Sequence, residues 1–382
     1  MEHLKETFTK IFGGGVFYTF AAPGRINIIG EHIDYNGGHV MPMALGVGTF
    51  ALIRPTKGGI VRLASTNFDA LITTDLEGLA YDPEADWANY PLGVAAMMQA
   101  DGHALGGFDV LFSGNIPNGA GLSSSASIEM AMATALNHLF NLGYNMIELV
   151  QLAQRAENQF CGVNCGIMDQ FAVGMSKAGH ALYLNCDNLE YQHVPLNLGD
   201  YIFVIMDTNK RRQLNESKYN ERRDECETAI AILAEDGHRG QLAHVLPAYF
   251  EDRKHLIEDE TIRARARHVV YEAARVAAAV GMMEKGDAAR LGTLLNESHV
   301  SLRDDYAVSC EELDVIADLA NRHPACLGAR MTGAGFGGCA IALVDKKAVE
   351  SFIAHVCEGY AEKIGYAPTL YECKSGDGAR LI

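Results

Sequence analysis

The chain runs to 382 residues, 48% hydrophobic and 21% charged, an ordinary globular composition long enough for two domains and a substantial core. Its formal net charge of −17 excludes general nucleic-acid and anionic-membrane binding, because no basic field exists to hold phosphates non-specifically. A nucleotide remains bindable, but only through local backbone donors, a metal ion and a few cations.

The N-terminal MEHLKETFTKIF is amphipathic and mixed in charge, without the apolar core of a signal peptide. No apolar run approaches the ~20 residues that span a bilayer, so a cytoplasmic location is expected. Next, RINIIG, the turn-rich YNGG and HVMPMAL predict strand, loop and strand. That loop gathers Arg25, Glu31, His32, Asp34 and Asn36 beside apolar strands. Carboxylates and imidazoles hydrogen-bond pairs of sugar hydroxyls, so the set suits a polyhydroxylated ligand; a solvated turn is the alternative.

The stretch GLSSSASIEMAMATALNHLF follows Asn118, Gly119 and Ala120. Gly119 and Gly121 free the backbone to curve around a ligand, and Ser123, Ser124 and Ser125 stand where a long helix begins. Unpaired N–H groups and the positive end of the macrodipole attract anions there, so the segment reads as a phosphate cradle or, more plainly, as a serine N-cap. It is not a Walker loop, since no G-x-x-x-x-G-K-[ST] occurs in the chain. Leu149, Ala153, Ala156 and Phe160 mark one face of the following helix. Within AENQFCGVNCGIMDQF, Glu157 suits a magnesium shell completed by a serine oxygen, phosphates and water. Asp169 lies among small and apolar residues and needs a partner there, which Arg25 can supply; Asp169 then serves as a proton acceptor. A capping carboxylate at a helix start is the other reading.

Nine dispersed cysteines, with no paired-knuckle spacing even at Cys161 and Cys165, predict reduced and largely buried thiols. HALYLNCDNLEYQHVPL alternates as two strands about an Asp-Asn turn. YIFVIMDT is another strand, followed by a charged helix from near Glu216, so a domain boundary falls near 195–205. Gly333, Gly335 and Gly338 of RMTGAGFGGCAIALV match G-x-G-x-x-G. The dinucleotide fingerprint requires a helix next, but CAIALV reads as a strand. A glycine loop between two strands implies close passage of another backbone, with the phosphate loop as the expected neighbour. Interleaved strand and helix periodicity gives an α/β or α+β architecture.

Together, GRINIIGEHIDYNGG, PNGAGLSSSAS, CGIMDQF and RMTGAGFGGCAIALV resemble segments of the galactokinases, within the galacto-, homoserine, mevalonate and phosphomevalonate kinase superfamily. TNKRRQLNESKYNERRDEC and SHVSLRDDYAVSCEELD extend the likeness, which runs from about residue 20 to the C-terminus. The resemblance implies an α+β, two-domain sugar kinase with its active site in the cleft between the domains. Residues 1–198 would form a domain like domain 2 of ribosomal protein S5, with the galactose-recognition and phosphate loops. Residues 199–382 would form a ferredoxin-like domain with the glycine-rich motif. The implied reaction is ATP-dependent phosphorylation of the anomeric hydroxyl of α-D-galactose to galactose 1-phosphate and ADP, the first committed step of galactose metabolism. Asp169 would be the base or orienting carboxylate, and Arg25 its counter-charge. Glu31, His32, Ile33, Asp34, Gly166 and Tyr219 would contact galactose. Ser65 and the run Gly119, Ala120, Gly121, Leu122, Ser123, Ser124 and Ser125 would hold ATP, with Ser125 and Glu157 on Mg2+. Trp87 would flank adenine or fill the core. His299 would be structural. Ala334 replaces a third glycine of many relatives and keeps the loop shape unless positive φ is needed. Galactose and ATP are the implied partners, with no nucleic acid, no membrane and a monomeric state. A kinase for a related sugar such as N-acetylgalactosamine and a non-catalytic sugar and nucleotide sensor are the competing readings; intact Arg25, Ser125, Glu157 and Asp169 oppose the sensor.

Overall fold

The structure is a computed structural model that describes residues 1–117, 120–210 and 215–382, with residues 215–217 described by their backbone alone. Its first half is built on a six-stranded sheet. Across it run Arg380–Leu381, Tyr18–Asn27, Pro42–Pro55, Phe108–Gly114, Ile60–Ser65 and Ile72–Asp75. Neighbours are antiparallel except Ile60–Ser65 with Phe108–Gly114. Successive side chains of a strand face opposite ways, and both faces are covered. Leu52, Ala64 and Leu111 meet Phe8 and Phe12 of the helix Glu2–Phe12. Ala51, Ile53, Leu63 and Val110 face the main core, as do Met130 and Ala131 of the helix Ser124–Phe140.

A three-stranded sheet of His39–Val40, His180–Asn185 and Tyr191–Pro195 follows, the last two as the hairpin the sequence predicts. The second half carries a four-stranded antiparallel sheet ordered Cys326–Met331, Cys339–Asp345, Tyr201–Asp207 and Thr369–Glu372. Ala288–Asp304 and Glu311–Arg322 pack on its Cys326–Met331 edge, and CAIALV, inside the sheet, is buried along its whole length. The glycines at 333–338 therefore do connect two strands. The chain then returns to its beginning, with Leu45 bridged to Ser375 and Phe20 paired with Leu381. All nine cysteines are free thiols. No helix among the described residues is long and apolar enough to cross a membrane.

Candidate functional site

A cavity of about 300 Å³ opens where the 25–34 loop, the start of the Ser124–Phe140 helix, residues 157–169, Tyr219 and the glycine loop converge. At its centre Asp169, in the first turn of the helix Met168–Met175, keeps a 29% exposed side chain. Arg25 grips it with two parallel bonds, Nε to Oδ1 and Nη2 to Oδ2, each 2.8 Å. Ser123 Oγ donates to Asp169 Oδ2 at 2.6 Å. Arg25 also binds the serine loop, donating from Nη1 to the Gly121 carbonyl at 2.8 Å and from its backbone N–H to the Leu122 carbonyl at 3.1 Å. One buried guanidinium thus sets the carboxylate and the loop relative to each other. Ser123 takes a left-handed φ of 60°, a rare state for a side-chain-bearing residue, held at the N-cap of the helix.

Beneath the loop, Glu157 sits in a π turn, Ala156–Phe160, that interrupts the helix after Met146–Arg155 and aims its carboxylate into the cavity. Burial first, then the charge of Asp169, pushes its pKa up to about 7, while Ser125 hydrogen-bonds it. The Gln170 amide donates to Glu157 Oε2 at 2.5 Å and to Glu129 Oε2 at 3.1 Å. Glu129 is fully buried, and that burial holds its carboxyl well above the usual carboxylate range.

The opposite wall carries Glu31, His32, Asp34, Gly166 and Tyr219. Glu31 Oε1 accepts from Gly333 N–H at 2.6 Å and Thr332 Oγ1 at 2.9 Å, and its Oε2 accepts from the Asn27 amide. Burial, reinforced by Asp169, raises Asp34 to about 7. A Cβ on Gly166 would lie 1.9 Å from Asp34 Oδ2, so only glycine fits against that carboxylate.

Comparison with known proteins fits this geometry. Residues 6–55 match the model described as "Galactokinase galactose-binding signature". Residues 89–177 match "GHMP kinases N terminal domain", and residues 277–362 match "GHMP kinases C terminal". The chain is 48% identical to the galactokinase of Clostridium tetani (strain Massachusetts / E88) over 383 residues, covering 100% of this chain and 98% of that protein. The chain belongs to the galactokinase family. It is 50% identical to the galactokinase of Enterococcus faecalis (strain ATCC 700802 / V583) over 384 residues, covering 100% of this chain and 99% of that protein. A crystal structure of Lactococcus lactis galactokinase complexed with galactose superposes with a TM-score of 0.98 at 43% identity, over 100% of this chain and 99% of that one. A mevalonate kinase structure, 19% identical, shares the two-domain GHMP kinase fold at a TM-score of 0.66 over 94% of this chain and 99% of that one.

Within this galactokinase-family cleft the remaining expected residues fall as follows. Ile33 is fully buried, its carbonyl accepting from the Asn36 and Gly38 N–H groups, and its side chain belongs to the core rather than the cavity wall. Its expected galactose contact is therefore left to its backbone. Ala120 and Leu122 are also buried and offer only backbone groups. Gly119 lies outside the described residues. Ser65 and Trp87 line a second cavity of about 260 Å³ that shares Ser124 and Ser125 with the first, and the Trp87 ring stacks on Phe68 at 12°. His299 Nδ1 accepts from the Met331 N–H at 3.2 Å, with Nε2 3.4 Å from Asp314. The glycine loop contacts Glu31, His32, Val308, Thr208 and Lys210, and it lines the same cavity as the serine loop, its expected neighbour. Ala334 has no left-handed φ.

Sequence reasoning missed Tyr35, Glu129, Gln170, Tyr306 and Arg330. Gln170 had a signal in its place beside Asp169. Glu129 lay inside an apolar helical run, where a carboxylate should have stood out. Tyr306 and Arg330 carried none, being about 270 to 300 positions from the residues they touch.

Proposed function

We propose that the first cavity holds galactose with its anomeric hydroxyl against Asp169, and that the adjoining cavity holds the adenine of ATP beside Trp87 and Ser65. The family's reaction is the ATP-dependent phosphorylation of galactose. The observation carrying the assignment is the Asp169 carboxylate, gripped by Arg25 and Ser123 between a sugar-sized polar wall and the serine loop.

In this reading the hydroxyl oxygen bonds the γ-phosphorus as the bond to the β-bridging oxygen breaks, ADP departs, and the hydroxyl proton passes to Asp169. Such transfer needs little covalent help, so positioning and charge stabilisation dominate. Arg25 does both, because it orients Asp169 and places positive charge beside the loop that would wrap the phosphates. Glu31, Asp34, Gly166 and Tyr219 orient the sugar, while the serine-loop amides and hydroxyls receive the triphosphate.

The residues present fit magnesium. A carboxylate raised to about 7 beside a serine hydroxyl, over a buried Glu129 whose Oε1 has no partner, is a site in which added positive charge is favourable. Glu157 and Ser125 would hold the ion together with phosphate oxygens and water, and the bound ion would neutralise phosphate charge. We divide the chain at 198/199, with the last residues returning to the first sheet. Nine free thiols support a reducing cytoplasm; a monomer remains our reading.

Asp169→Asn tests the core of this reading. Turnover should fall by about 10²–10⁴-fold while ATP affinity, measured by calorimetry, stays within about twofold. Near-normal turnover refutes the assignment. A panel of galactose, glucose and N-acetylgalactosamine in an ADP-release assay tests the sugar.

A further inference from the structure

His32 lines the sugar cavity, yet both of its ring nitrogens are committed inside the protein. Nε2 lies 3.2 Å from the Ala334 carbonyl oxygen, and Nδ1 lies 2.8 Å from the Tyr35 hydroxyl. The Tyr35 hydroxyl lies 2.8 Å from that of Tyr306, which in turn lies 3.2 Å from Cys226 Sγ. A carbonyl oxygen only accepts, and that gives the whole chain a direction. Nε2 must carry the proton toward Ala334. In a neutral ring Nδ1 is then bare and accepts from Tyr35, whose oxygen accepts from Tyr306, whose oxygen accepts from the Cys226 thiol. Burial, with His268 and two arginines nearby, holds the imidazole neutral by lowering its pKa to about 3.

We propose that Tyr35 and Tyr306 are positioning residues for the sugar. The Ala334 carbonyl sets the neutral Nε2–H tautomer of His32, and the hydroxyl relay on Nδ1 pins that ring in place, making it a rigid cavity wall rather than a proton carrier. Three further features support this. His32 holds a left-handed φ of 62°, which persists only where surrounding bonds over-determine it. Tyr306 and Cys226 are fully buried, so water does not substitute for a missing member. Cys226 lies seven residues, about two turns, beyond Tyr219 on the helix Asn215–Glu235, and therefore on the same face. The relay thus connects the helix that presents Tyr219 to the glycine loop at Ala334, with His32 in between.

The inference rests on the cavity being the sugar site, and its test separates the two. In full-length enzyme labelled with 15N-histidine, the His32 signals are assigned by their loss in His32→Gln. They should report the Nε2–H tautomer in the parent and in Tyr35→Phe, where the Nδ1 signal should shift as its hydrogen bond is lost. Tyr35→Phe should raise KM for galactose about tenfold and Tyr306→Phe about threefold, with kcat within about twofold and KM for ATP unchanged. That split marks lost uniform binding of the sugar, whereas general loosening would move both substrates and kcat. An Nδ1–H tautomer or an imidazolium in the parent overturns the relay. A shifted Nδ1 signal with unchanged galactose KM overturns the positioning role, and the Asp169→Asn result then judges the cavity itself.

Discussion

Glu31→Gln isolates the join between the sugar loop and the glycine loop. The carboxylate is 1% exposed, binds three donors, and lies 3.4 Å from Nη2 of Arg330, itself fully buried. Glutamine keeps the shape and removes the charge. Its amide nitrogen must then face either Gly333 and Thr332 or Asn27. Asn27 can turn its amide, since its Oδ1 has no partner, so the hydrogen-bond loss is partly repaired. The charge loss is not. Arg330 Nε and Nη2 have no hydrogen-bond partner, and beyond the Asn27 and Ile28 carbonyls that Nη1 already binds, the more remote Glu272 compensates in part. Breaking a buried pair from one side costs roughly 3–5 kcal/mol, and the two partial compensations favour the lower end, about 3 kcal/mol. At ~2.1 cal/mol/K of unfolding entropy per residue, a chain of 382 residues should melt about 4 °C lower. Scanning calorimetry measures this, and galactose KM should rise about tenfold with ATP KM unchanged. Adding Arg330→Met should recover part of the melting loss, because removing both charges leaves neither uncompensated. A melting temperature within about 1 °C of the parent for Glu31→Gln alone would refute the argument.

Glu157→Gln should remove a pH dependence. The folded-state pKa of about 7 lies above the ordinary 4.5, so the carboxyl's contribution to stability is complete below about 4.5 and disappears as pH rises through 7. Ligand-free Glu157→Gln should therefore be more stable than the parent at pH 8, by on the order of 2–3 kcal/mol, and equal to it near pH 4. Urea midpoints across that range check this, and equal midpoints at pH 8 would contradict it. The same variant should bind ADP more weakly at saturating magnesium. Gly166→Ala should drive Asp34 from its place, since the new Cβ overlaps Oδ2 at 1.9 Å. Galactose affinity should fall about tenfold or more in calorimetry while ADP affinity holds; unchanged galactose binding would show that Asp34 does not orient the sugar.

Much of the architecture was legible because it is written locally. Glycine clusters, β-branched runs and 3.6-residue periodicity act on neighbours in the chain. They sufficed for the strand–loop–strand at 18–55, the hairpin at 180–195 and the two strands around the glycine loop. The same local logic marked Arg25, Glu31, Asp34, Ser125, Glu157 and Asp169 as a chemically coherent set, all of which line one cavity.

What the one-dimensional pattern does not carry is which distant segments touch. The glycine loop shares a cavity with the phosphate loop, as expected, but its bonds to Glu31 and His32, about 302 positions away, were not foreseen. Ile33 sits between two cavity residues in the chain, yet its side chain is buried in the core. The Tyr35–Tyr306 pair, the π turn under Glu157 and the Gln170 bridge to Glu129 exist only through packing of whole helices and sheets. Composition and spacing marked residues suited to binding sugar hydroxyls and phosphate and the elements that carry them, and the resemblance to the galactokinases implied the reaction. Tertiary packing alone decided which atoms face one another, because burial and register across hundreds of residues select partners that no local preference encodes.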